Sequence, residues 1–416
     1  MREMKDSGIV WIGAIPKRWQ LSKIGSLYTQ RNEKVSDKEY RPLSVTMQGI
    51  LPQLATAAKT DDGDNRKLVR VGDFAINSRS DRRGSCGISP LDGSVSLINI
   101  ILTPRTAMHP GYYNWLFHTT LFADEFYKWG HGIVADLWTT RWQEMKSITV
   151  PVPEYAEQER IAAFLDAECA EIDAVLEKTR ASIEEYKKLK QAVITQAVTK
   201  GVRGDRPMKD SGIEWIGDIP AEWEVVPFSK FARVSANLVN PSDYQDYLQV
   251  SPENIEKDSG KLLPCKTVSE VGVESWNHLF HKGQILYSKI RPKLNKVCIA
   301  PFDGLCSADM YPIDTDNVSK FVVYTMLSND FYQQVAMITE NRVKMPKINQ
   351  KELSKLIVVL PANRMEQQEI VDYLDDKCGR SDALIVKKQQ YLTEIENYKK
   401  SLIYEYVTGK KEVHPL

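Results

Sequence analysis

Two stretches of the chain place apolar side chains at helical spacing. Over 156–200, Ile161, Leu165, Ile172, Leu176, Ile183, Tyr186 and Val193 follow at intervals of 4, 7, 4, 7, 3 and 7 residues, among Glu, Lys, Arg and Gln. A heptad-like stripe on a polar background predicts a long amphipathic helix. No proline or glycine interrupts it from Ala156 to Lys200. A second stripe carries Ile370, Leu374, Ile385, Leu392, Ile395, Leu402 and Tyr406. Pro151, Pro153 and Pro361 mark the entries, Gly201 and Gly409 the exits. At 1.5 Å per residue, each helix would run roughly 60–65 Å. The simplest way to bury both stripes is an antiparallel pair within one chain. Ile161, Leu165, Ile172, Leu176 and Ile183 would then face Ile370, Leu374, Leu392, Ile395 and Leu402. A coiled coil between two copies of the chain is the alternative.

The rest of the chain has a different rhythm. Short alternating or β-branched runs such as 67–71, 95–102 and 296–300 are broken by Gly, Pro, Asn and Asp, and helical stretches intervene at Tyr112–Lys128 and Ser319–Ile338. This pattern predicts α/β or α+β domains with a small twisted sheet.

The chain is also written twice. Residues 4–19 (MKDSGIVWIGAIPKRW) return as 208–223 (MKDSGIEWIGDIPAEW), and 157–166 (EQERIAAFLD) return as 366–375 (EQQEIVDYLD). The second register continues without a gap, bringing Cys169 onto Cys378, Asp173 onto Asp382 and Lys190 onto Lys399. Between these blocks, 24–150 and 228–358 share only faint echoes, such as Pro90-Leu91-Asp92-Gly93 against Pro301-Phe302-Asp303-Gly304. Two copies this long are not a solenoid. The expected architecture is two divergent domains, each a small twisted β-sheet with helices, separated by two long antiparallel coiled-coil helices in a pseudo-two-fold internal repeat. Its expected boundaries are 1–152, 153–203, 204–360 and 361–416. The repeated tryptophans, isoleucines and prolines suit a compact apolar clasp at the start of each domain.

Composition narrows the chemistry. Lys and Arg number 55, as do Asp and Glu, so net charge gives no argument for nucleic acid and any basic surface must be local. Local basic surfaces exist. Asn77, Arg79, Arg82 and Arg83 cluster in one divergent domain; Lys289, Arg291, Lys293, Asn295 and Lys296 cluster in the other, with Arg342, Lys344 and Lys347 further on. Arginine and lysine neutralise phosphates, and Arg and Asn can also read guanine and adenine edges. A solvated loop explains any one of these residues equally well. Two such loops at matching places favour DNA.

Catalytic signatures are missing from the sequence. There is no Asn/Asp-Pro-Pro-aromatic tetrapeptide to seat a flipped base, and Gly260-Lys261 and Gly409-Lys410 are not followed by Ser or Thr as a phosphate loop requires. Glu185-Tyr186-Lys187 has a nuclease-like spacing but lies in the helical stripe. The six cysteines form no Cys-x-x-Cys pair, and the histidines show no metal spacing beyond His278 and His281. With no apolar leader and no run of 18 apolar residues, the expectation is a reduced cytoplasmic protein that makes no contact with a membrane.

Paired Gly-Ile-x-Trp-Ile-Gly-x-Ile-Pro-x-x-Trp blocks, paired Glu-Gln-x-x-Ile helix starts and divergent domains between them resemble type I restriction-modification specificity subunits across essentially the whole chain. The resemblance implies two target recognition domains, each reading one half of a split, asymmetric double-stranded DNA sequence. It implies helices that measure the unread spacer and dock two modification (methyltransferase) subunits, with two restriction (motor-nuclease) subunits in the full complex. S-adenosylmethionine, ATP and Mg would be bound by those partners and no cofactor by this chain. A stand-alone nuclease or methyltransferase, and a coiled-coil scaffold or DNA-mimic inhibitor, are the competing readings.

Overall fold

The computed structural model describes residues 2–53, 63–132, 138–342, 346–361 and 363–413. The chain divides into two compact units, one of 1–180 with 390–416, the other of 181–389. The first long helix, Tyr155–Lys200, and the second, Arg364–Val407, each pass from one unit to the other. The boundaries expected from sequence set the helices apart as segments of their own; by contacts, each unit takes part of both.

Within the first unit the helices run antiparallel. Lys399 Nζ reaches Asp173 at 2.7 Å, and Arg180 Nη2 reaches Glu396 at 2.6 Å. The second unit repeats the arrangement, with Lys190 2.7 Å from Asp382 and Lys388 over the Tyr186 ring. The apolar stripe has two uses. Ile161, Leu165 and Leu402 are buried in the first domain's own core with Trp19, Tyr112 and Phe117, and Ile172 packs against it. Ile370 and Leu374 enter the second core with Trp223, Phe228 and Phe231. Leu176 and Ile183 are buried and belong to neither core, while Leu392 and Ile395 are half-buried. A stripe wide enough to face both a helix and a domain buries more apolar area than a two-helix seam.

The divergent domains share a plan that their sequences hide. Each holds a four-stranded antiparallel sheet in the spatial order first, fourth, second, third. In the first domain these are Tyr28–Arg31, Asn99–Pro104, Phe74–Asn77 and Cys86–Ile88. In the second they are Arg233–Val234, Met310–Asp314, Ile285–Ser288 and Val297–Ile299. A second sheet differs: three strands in the first domain, five in the second, with Leu248–Val250 parallel to Gly304–Cys306.

Two helical stretches read as continuous are each two helices. Pro110–Phe117 stops before Thr119, whose extended backbone and hydroxyl cap the next helix at Phe122 N. Ser328 does the same between Ser319–Leu327 and Asn329–Thr339. A hydroxyl in the middle of an apolar helix favours a cap when the chain must turn. The run 95–102 is likewise broken, by a turn from Ser96 to Asn99, so that Gly93–Val95 and Asn99–Pro104 join different sheets. Among the described residues, no helix is long and apolar enough to cross a membrane.

Candidate nucleic-acid interface

Each unit fastens its divergent domain to a helix through one buried carboxylate. Trp19 donates its indole N–H to Glu157 Oε2 at 2.9 Å, Arg2 donates to Oε1 at 2.7 Å, and Arg18 to Oε2 at 3.1 Å. In the second unit Trp223 donates to Glu366 Oε2 at 3.1 Å and Arg206 to Oε1 at 2.5 Å, with Arg206 also paired to Glu222. The guanidinium lies over the indole in both, 5.6 Å from the Trp19 ring centroid and 5.5 Å from that of Trp223. Burial alone would raise the Glu157 carboxyl, but the Trp19 and Arg2 hydrogen bonds and the charges of Arg2 and Arg18 outweigh it and hold it below the usual range. The adjacent glutamine completes the joint. Gln158 Oε1 accepts the N–H of His109, and Gln367 Oε1 that of Val318, each the residue before a domain helix. The clasp expected from the tryptophans and prolines is thus an ion-paired one. Its signal in the sequence was the repetition of Arg2 as Arg206 and Glu157 as Glu366.

On this base the two basic loops take equivalent positions. Each joins the second and third strands of the shared four-stranded sheet: 78–85 in the first domain, 289–296 in the second. Each is also braced by the segment preceding the last short helix of its domain. Ser80 N donates to Trp138 O and Thr140 N to Ser78 O, both at 3.0 Å; Arg291 N donates to Pro346 O at 2.7 Å and Ile348 N to Lys289 O at 2.9 Å. The second brace brings Lys347 beside Ile290, so two clusters far apart in sequence form one surface.

The candidate residues separate by what their side chains already hold. Arg82, Arg291, Lys293 and Lys347 are exposed, and among the described residues Asp81 is the one acid near Arg82, at 3.7 Å. Arg83 is exposed but pairs with Asp124 at 2.5 Å and lies over Tyr127. Arg79 is half-buried beside Thr139. Lys289 sits 5.2 Å from the Tyr311 ring, and Lys296 Nζ donates inward to Pro252 O. Two amides expected to face DNA are turned inward instead. Asn77 is buried, its Oδ1 taking the Arg79 N–H, and Asn295 is buried at the left-handed end of its loop. Short amides suit such turns because the side chain can replace a missing backbone partner. Arg342 is committed to Glu352 by two bonds, 2.5 and 3.1 Å, and to Lys347 O. Lys344 lies outside the described residues.

Sequence reasoning missed the aromatic border of the first loop. Trp138 is exposed beside it, its carbonyl taking the Ser80 N–H and its indole N–H held on Tyr127 O, and the Tyr127 hydroxyl donates to Asn77 O and Arg82 O. Elsewhere in the second unit, Lys187, Lys188, Lys257, Lys293 and the exposed Trp215 line a groove of about 1200 Å³. Among the described residues, no three His, Cys, Asp or Glu are placed to hold a metal ion.

Comparison with known proteins shows what this arrangement is similar to. Residues 222–394 match the family described as Type I restriction modification DNA specificity domain. The chain is 34% identical over 286 residues to the type I restriction enzyme EcoDI specificity subunit of Escherichia coli, covering 64% of this chain and 63% of that protein. Over these matched stretches the chain is similar to type I restriction-modification specificity subunits. A second relative, the EcoBI specificity subunit of Escherichia coli, is 21% identical over 288 residues, covering 64% of this chain and 59% of that protein. The chain thus aligns with less than two thirds of either relative's length. A structure solved for the complex assembly and conformational transition of the type I R-M system matches with a TM-score of 0.72 at 14% identity, over 95% of this chain and 99% of that one. The HsdS subunit from Thermoanaerobacter tengcongensis gives 0.50 at 15%, over 95% and 98%. These two likenesses are of fold. The segment that matches the family model starts at Glu222, beside Trp223, and takes in the second basic loop and much of the second long helix.

Proposed function

We propose that this chain is the DNA-recognition subunit of a type I restriction-modification complex. Each divergent domain reads one half of a bipartite, asymmetric double-stranded target, and the long helices span the unread spacer and dock two modification subunits. The chain itself catalyses nothing. S-adenosylmethionine sits on the methyltransferase partners, and ATP and Mg on two motor-nuclease subunits where these are present.

One observation carries the reading: two domains of the same strand order hold basic loops at the same topological position, while the loops themselves differ. Arg79-Ser80-Asp81-Arg82-Arg83 in one domain answers to Lys289-Ile290-Arg291-Pro292-Lys293 in the other. A shared scaffold with unlike basic loops is what two unlike half-sites require, since phosphate contacts position a domain and the remaining side chains choose bases. The exposed cations Arg82, Arg291, Lys293 and Lys347 supply the positioning.

Exchanging residues 20–150 with those of a relative tests this. Sequencing of methylated adenines in a host carrying the hybrid and its methyltransferase should show one half of the motif replaced and the other kept. An unchanged motif would mean that the domains do not divide the target.

A further inference from the structure

The geometry assigns Arg342 and Glu352 a positioning role in the second domain: together they set the shape of the 289–296 loop and so decide how strictly its half-site is read, without touching DNA. This rests on the reading that the second domain recognises one half of the target.

Glu352 is the third residue of the short helix Gln350–Leu353 and closes its capping box, accepting from Asn349 N at 3.0 Å while Asn349 Oδ1 accepts from Glu352 N at 2.9 Å. Arg342 clamps the same carboxylate with both terminal nitrogens, at 2.5 and 3.1 Å, and bonds Lys347 O as well. One guanidinium therefore ties the start of that helix to the backbone at Lys347. That backbone is the brace of the recognition loop, since Ile348 N donates to Lys289 O and Arg291 N to Pro346 O. The chain of contacts runs from Glu352 through Arg342 to Lys347, then across the ladder to Ile290 and Arg291. The end-on fork of Arg342 is closed on Glu352, and a third N–H is spent on Lys347 O.

The first domain solves the same problem with a different residue. Glu144 stands at the same place in the short helix Trp142–Met145 and accepts from Arg141 N at 3.0 Å, but the basic side chain near it is His131, its Nε2 4.0 Å away. His131 pairs with Thr139 backbone to backbone, and Thr139 lies beside Arg79. The carboxylate is common to both domains, and its partner has changed with the loop it braces. A planar two-pronged clamp braces one loop, whereas the ring nitrogen beside the other carboxylate lies beyond hydrogen-bond reach, so the two braces differ in stiffness.

The test uses the full chain with its methyltransferase partner and three variants: Arg342→Met, Arg342→Lys and Glu352→Gln. Glutamine still completes a capping box, so Glu352→Gln keeps the helix start and the fold. Methylated-adenine sequencing should show the half-site of the second domain relaxed at one or more positions and the other half unchanged. Discrimination between the cognate site and a site mismatched in that half should fall roughly tenfold, with Arg342→Lys intermediate. The dependence of binding on salt should keep its slope, because no phosphate contact is lost. A slope reduced by about one with an unchanged motif would make Arg342 a phosphate contact and overturn the proposal. A lowered melting temperature with both motif and slope unchanged would overturn it too, leaving an ion pair that serves stability alone. A wild-type complex that methylates no bipartite site would instead refute the functional reading on which it rests.

Discussion

The indole N–H of Trp19 and the carboxylate of Glu157 meet at 2.9 Å across 138 residues of chain, inside the core of the first unit. Everything that differs between the two domains lies between the partners of such a bond, because Trp223 and Glu366 meet in the same way in the second unit. A divergent domain can therefore change freely as long as its two ends still close on one carboxylate.

Removing that carboxylate should be costly and sensitive to pH. Glu157→Gln leaves Arg2 with a neutral partner, and breaking a buried ion pair on one side costs about 3–5 kcal/mol. The Glu157 carboxyl is held below its ordinary value, so the stability it contributes is present above an ordinary glutamate pKa of about 4.3 and disappears as pH falls through the depressed folded value. Thermal unfolding should show a loss of melting temperature for Glu157→Gln at pH 7 that narrows toward pH 3. A gap of constant width across that range would remove the ion pair as its source.

DNA binding should separate exposed arginines from committed ones. Among the described residues Asp81 is the one acid near Arg82, while Arg83 is engaged with Asp124 and the Tyr127 ring. Arg82→Ala should lower the salt slope of binding by about one and leave melting unchanged. Arg83→Ala should change the slope less and lower the melting temperature slightly. Equal slopes for the two variants would place both side chains on the phosphate backbone.

Much of this was legible in the sequence, and the failures have physical causes. The long helices were visible because their apolar stripes repeat at helical spacing, the first without a breaker and the second across only Gly379, and the clasp because its residues recur at fixed offsets. A small sheet in each domain was expected, but the strand order common to both was invisible. The strands are short, and what the domains share is hydrogen bonding between backbones, which any apolar residues satisfy. The fate of Asn77 and Asn295 was hidden for a related reason. An amide that reads a base and an amide that caps a turn look alike until the local backbone is known, and Asn295 sits at φ 44°. Thr119 and Ser328 were overlooked as helix breaks since hydroxyls occur inside helices too; only the turn of the chain made them caps. Arg342 looked like one more basic loop residue because its partner Glu352 follows ten positions later, beyond any local pattern.

The seat of the second helix's end should tolerate nothing larger than glycine. Gly409 has φ 73°, and a Cβ there would lie 2.5 Å from Pro16 Cδ and 2.9 Å from Trp19. Gly201 is matched in the second unit, with φ 74° and a Cβ position 2.8 Å from Arg206 Nη1. The two obstacles differ in degree: at Gly409 a proline ring and a buried indole both stand within 2.9 Å, whereas at Gly201 the nearest atom is the ion-paired Arg206 guanidinium and the Trp223 ring lies further off, at 3.2 Å. Gly409→Ala should therefore destabilise more than Gly201→Ala, which should cost about 1–2 kcal/mol for the left-handed backbone and a further amount for displacing Arg206. Urea unfolding of the two variants would show it, and equal losses would mean that backbone strain, not the Trp19 seat, sets the cost.

Arg291 offers a substitution that should weaken binding while strengthening the fold. It is exposed and holds a left-handed backbone, φ 44° and ψ 51°, at the start of a turn in the basic loop. Glycine adopts that region without the Cβ clash that costs other residues about 1–2 kcal/mol. The added freedom of glycine in the unfolded chain takes back part of that gain, roughly 0.4–1 kcal/mol. Arg291→Gly should then melt at or slightly above the wild-type temperature, yet bind DNA more weakly and with a salt slope smaller by about one. Arg291→Ala should lose the same slope with no gain in stability. A variant that gained stability while binding DNA with an unaltered slope would mean that Arg291 makes no phosphate contact.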